Sequence, residues 1–102
     1  MSYFLHCVAM GHFAAGRFKE AAQWEQRSLQ LDPNYYVAQG TLAASYAHSG
    51  EMDQARAAVQ EMLRRNPEFS PQTFQMVFSF ADAAFIESWL DGIRKAGWKE
   101  KP

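Results

Sequence analysis

The chain has 102 residues, which allows one domain with one modest core. With 48% hydrophobic and 21% charged residues it is globular in composition rather than disordered. A formal net charge of −1 supplies no basic field that would draw nucleic acid or anionic lipid.

The first predicted helix begins in the apolar run from Tyr3 and ends before Gly16. The second, Phe18 to Leu31, spaces Phe18, Ala21, Ala22 and Leu29 at helical intervals, and Pro33 closes it. A third helix carries Val37 to His48 and stops at Gly50, where a glycine just past the helix end can turn left-handed. The fourth holds Met52, Ala55, Val59, Met62 and Leu63, and Pro67 closes it. Ser70-Pro71 then reads as an N-cap with proline at the first helical position. Asp82 caps a last helix with Phe85, Ile86, Trp89, Leu90 and Ile93 on one side; Gly97 ends it and Trp98 packs back across the terminus. About six helices are expected. The basic residues are dispersed except for Arg64-Arg65 and the tail from Arg94 to Lys101, both at helix C-termini, where cations meet the helix dipole favourably.

Gly16 and Gly50, Ala21 and Ala55, Leu29 and Leu63, and Pro33 and Pro67 are each separated by the same 34 residues. The alanines are small where two antiparallel helices approach closely. A period of this length with Gly, Ala and Pro in that order resembles the tetratricopeptide repeat. The resemblance implies an all-α, right-handed superhelical stack of antiparallel helix pairs. Residues 1–102 form one such domain, with repeats at 3–34 and 35–68 and a divergent pair at 70–98 that closes the stack. Leu42-Ala43-x2-Tyr46 matches the pattern of the family's first helix, although Gln39 replaces the family tryptophan. Leu5, Val8, Ala9 and His12 match it more loosely. Glu25 stands where a large apolar residue belongs, with Trp24 beside it, so repeat one is expected to be rotated slightly or partnered differently on that face. In the last third, Ala84 falls where a glycine belongs and Trp89 where a small alanine belongs.

The closing segment resembles the ends of repeat regions on bacterial class III nucleotide cyclases and on bacterial winged-helix regulators. Phe69-Ser70 after Asn66-Pro67, and Leu90-x-Gly92-Ile93-Arg94-Lys95-Ala96-Gly97, carry that likeness over about a third of the chain. It implies a bacterial signalling context, with the chain as a regulatory tail, and no catalytic residue comes with it.

In tetratricopeptide domains the first helix of each pair lines a concave groove that takes a peptide. By position, this lining is Tyr3, His6, Cys7, Met10 and Phe13, then Val37, Gly40, Thr41, Ala44 and His48. Family members that clamp a C-terminal carboxylate hold Lys, Asn and Arg there. His6, Met10 and Thr41 occupy those positions here, so an apolar or helical ligand is expected instead. Two repeats make a shallow groove, and the same residues would equally seat the domain's own terminal helices. Gly40, mid-helix, offers space either to a ligand backbone or to a neighbouring helix.

His6, Cys7, Met10, His12 and His48 show no four-ligand metal spacing, and His6 and Cys7, as helix neighbours, point about 100° apart and make no dyad. Glu87 and Asp91 share a solvated face, with Lys95 one turn beyond Asp91. No phosphate loop, nucleophile elbow or zinc-helix motif is present. The sole cysteine, Cys7, makes an intrachain disulfide impossible and fits a reducing cytoplasm. The run from Tyr3 to Met10 is too short to span a membrane and has no basic leader. The reading is a protein–protein interaction scaffold without catalysis, cofactor or metal. Its unnamed protein or peptide partner could be a second copy joined through the first helix pair. The rival readings are the regulatory tail and a small-ligand or metal sensor near His6, Met10 and His48.

Overall fold

The structure, a computed structural model, describes residues 2–65, 67 and 83–99. Among them are five helices and no strands: α1 (Ser2–Ala14), α2 (Phe18–Leu31), α3 (Tyr36–His48), α4 (Met52–Arg65) and α5 (Ala83–Lys95). The helix expected from Ser70, its proline and the Asp82 cap lie outside the described residues. The chain is an all-α stack in which α1 packs on α2, α3 on α4, and α2 on α3.

One device ends three of the helices. Gly16, Gly50 and Gly97 have φ of 82°, 88° and 107°, the left-handed region that side chains with a Cβ avoid. The residue after each glycine reaches back over the last turn. Arg17 N donates to His12 O at 2.9 Å, Glu51 N to Tyr46 O at 2.9 Å, and Trp98 N to Ile93 O at 3.0 Å. These bonds satisfy carbonyls that a helix end would otherwise leave open.

The helices α2, α4 and α5 each carry one apolar stripe, whereas α1 and α3 are apolar around more than one side. For α3 the reason is its central place: it touches α2, α4, α5 and α1, and residues 37–47 are all buried. The equivalent alanines Ala21 and Ala55 are both 0% exposed, within the one core cluster, as small residues between close helices would be. Replacing either with Leu is expected to overpack that contact and destabilise by about 1–3 kcal/mol, read as a lower thermal midpoint. An unchanged melt for both variants would remove them from the helix interface. No helix among the described residues is long and apolar enough to cross a membrane.

Candidate functional site

The residues assigned to the groove fall into three groups. Gly40, Thr41, Ala44 and His48 lie under α5. A Cβ built on Gly40 would fall 2.2 Å from Trp89 Cζ2, so the indole rests on bare backbone. Trp89 Nε1 donates to Thr41 Oγ1 at 3.0 Å, and that hydroxyl donates onward to Val37 O at 3.1 Å. One turn along, Gly92 meets Ala44, where an added Cβ would fall 2.6 Å from the alanine methyl. His48 Nε2 lies 2.9 Å from Ser88 O and donates to it, which places the imidazole proton on that nitrogen. Phe13 belongs to the same seat, edge-on to Phe85 with ring centres 5.4 Å apart. The face of α3 is thus filled by a helix of the same chain, and Val37 is buried beneath it in the core.

His6 is turned inward. It is buried against α2, with Nδ1 2.6 Å from Glu25 Oε2, and Glu25 is 0% exposed. Tyr35 covers the pair edge-on, its ring centre 5.0 Å from the imidazole. Burial holds His6 down at about 4 and pushes Glu25 up to about 10, the latter against a smaller pull from Thr41. The shared proton therefore sits on the carboxyl, whose O–H donates to His6 Nδ1. Glu25 at an apolar position is explained by its partner, the second of the two expectations for that face.

Tyr3 and Cys7 form the third group and face outward, while Met10 is half-buried with its sulfur 3.7 Å from Thr41 Oγ1. Among the described residues, no three His, Cys, Asp or Glu side chains come together as a metal site. Asp91 pairs with Lys95 at 3.4 Å on the solvated face. Arg64 and Arg65 both turn onto Glu61, at 2.5 Å each.

The family follows from the repeat geometry together with one comparison: a family model described as tetratricopeptide repeat matches residues 12–73, more than half of the chain. The chain belongs to the tetratricopeptide repeat family. No curated protein matches it in sequence. As a tetratricopeptide protein it is of a kind that mediates protein–protein contacts and is typically non-catalytic. The family pattern marks the glycines, alanines and prolines at the repeat positions, but it says nothing of three residues that matter here. Glu25 and Trp89 were visible only as misfits, a carboxylate and a tryptophan where apolar or small residues belong, and Gly92 only as part of the closing segment's likeness to repeat tails.

Proposed function

We propose that this tetratricopeptide protein is an interaction scaffold without chemistry of its own, and that one of its contacts is a two-fold dimer through α1 and α2. The carrying observation is an uncovered end. Tyr3 is 66% exposed and Phe4 60%, whereas their counterparts one repeat later, Val37 and Ala38, are 3% and 0% exposed on a helix that α2, α4 and α5 surround. Leu31, at the same end of the hairpin, is 60% exposed. An open repeat end carrying large apolar groups is a solubility liability, and a patch of a few hundred Å² gains about 25 cal/mol per Å² on burial, before association costs. The same patch on two copies closes on itself about a two-fold axis.

Sedimentation at micromolar concentration is expected to show a dimer that Phe4→Glu converts to monomer. A monomer before and after the substitution would mean that no second copy covers this face. The regulatory-tail reading uses the same surface, there covered by an upstream cyclase or winged-helix domain. A reading frame encoding such a domain directly before Met1 would favour it. The lone thiol Cys7 supports a cytoplasmic setting for either.

A further inference from the structure

The second helices of the two repeats, α2 and α4, border a polar cleft together with the end of α3. It holds about 260 Å³, room for about nine water-sized groups, and lies at the opposite end of α2 from Leu31. Tyr46 is its buried polar anchor. Gln26 Nε2 donates to the Tyr46 hydroxyl oxygen, which leaves the phenol proton to donate to a ligand. Burial holds Tyr46 above its ordinary range, against the Gln26 bond and with a smaller push from Glu51, so that proton stays on the oxygen. Lys19 borders the cleft from α2 and Glu51 from the start of α4, and Gln23 and Gln54 add two further amides.

Two charges at this cleft are uncommitted. Asp53, Glu61, Glu87 and Asp91 each pair with an arginine or lysine further along their own helix. Among the described residues Lys19 and Glu51 form no ion pair, and both border this cleft. A ligand with a lone negative charge would be repelled by Glu51, and one with a lone positive charge by Lys19. A ligand carrying both charges meets an opposite partner at each. We propose that the cleft binds a small zwitterion of the amino-acid class, with its carboxylate on Lys19 and the Tyr46 hydroxyl, its ammonium on Glu51 and its body against the glutamine amides. The site adds a small ligand to the protein partner and stands apart from the α1 dimer.

The probe is L-glutamine, whose side-chain amide suits the amide-lined wall, titrated into the isotope-labelled full chain near neutral pH and followed by NMR. Saturable shifts are expected at the amides of Lys19, Gln23, Glu51 and Gln54, with a midpoint of about 1 mM or below. N-acetyl-L-glutamine lacks the ammonium and L-glutamine amide lacks the carboxylate, and each is expected to bind about tenfold more weakly. Glu51→Gln should abolish the discrimination against the acetylated probe, and Lys19→Gln that against the amide, which a merely structural role for either side chain would not do. Tyr46→Phe should weaken L-glutamine by about fivefold, the loss of one hydrogen bond. No saturable shift up to about 10 mM overturns the proposal. So do shifts that cluster away from this cleft, equal binding of all three probes, or tighter binding of glucose, a neutral molecule of similar size. Phe4→Glu should leave the L-glutamine midpoint unchanged while sedimentation scores the dimer, so failure of the cleft and failure of the scaffold reading are told apart.

Discussion

Stability measured by urea unfolding is expected to hold level between about pH 4.5 and 6.5 and then to fall, by roughly 3 kcal/mol at pH 8.5. The cause is the buried His6–Glu25 pair. Folded, Glu25 keeps its proton to about 10, against an ordinary 4.5, so its contribution is complete below 4.5 and is lost as pH rises toward 10. Folded, His6 refuses a proton until about 4, against an ordinary 6.5, so its contribution is complete above 6.5 and is lost as pH falls toward 4. Between 4.5 and 6.5 the pair carries one proton in both states and the two slopes cancel. Above 6.5 the unfolded chain has released that proton and the folded chain has not, so each further unit favours unfolding. Most domains are at their most stable between about pH 5 and 8; this one should be declining over the upper half of that range.

Glu25→Gln separates the two slopes. The amide cannot titrate, yet its oxygen can accept from Nδ1 of the other neutral tautomer of His6, so the contact survives. The decline above 6.5 should disappear, and a fall below 6.5 should emerge from the now uncompensated histidine. If the variant and the unaltered protein have the same profile from pH 6 to 8.5, the pair is not a neutral buried one. Removing both titratable groups, as in His6→Leu with Glu25→Leu, should flatten the profile altogether, at little cost in stability or even a gain.

The frame of the fold was legible because each repeat mark has a single physical use: a left-handed turn at Gly16 and Gly50, a close approach at Ala21 and Ala55. The pairing of His6 with Glu25 was also within reach. His6 lies nine residues before Ala15 and Glu25 nine after Gly16, so a helical hairpin turning there sets them at one height. Phe13 and Phe18, two residues either side of the same point, stack edge-on at 5.2 Å for the same reason. The seat of α5 was not legible. A helix with one apolar stripe declares that it is covered, not by what, and both the end of the stack and the concave face of α3 offered a cover. Trp89 and Gly40 were each out of place alone, and only the three-dimensional contact joins them.

Gly92→Ala is expected to destabilise the protein by about 3 kcal/mol, the upper end of overpacking, although alanine favours a helix by about 1 kcal/mol. The new methyl would sit 2.7 Å from Ala44 Cα, and backbone at the centre of α3 has no room to yield. Gly40→Ala meets a different obstacle. Its methyl would lie 2.2 Å and 2.5 Å from the outer atoms of the Trp89 ring and 3.3 Å from Met62 Sδ. Trp89 and Met62 are both 0% exposed, so the ring can move only by lifting α5 from its seat. The expected signs are a lower thermal midpoint and a red shift of tryptophan emission as Trp89 meets water. A smaller ring should relieve the clash, so Trp89→Phe in the Gly40→Ala background should cost less than the two single changes added together. Midpoints that rise by the helix-propensity gain in both glycine variants would show that α5 does not rest on α3 through these two glycines.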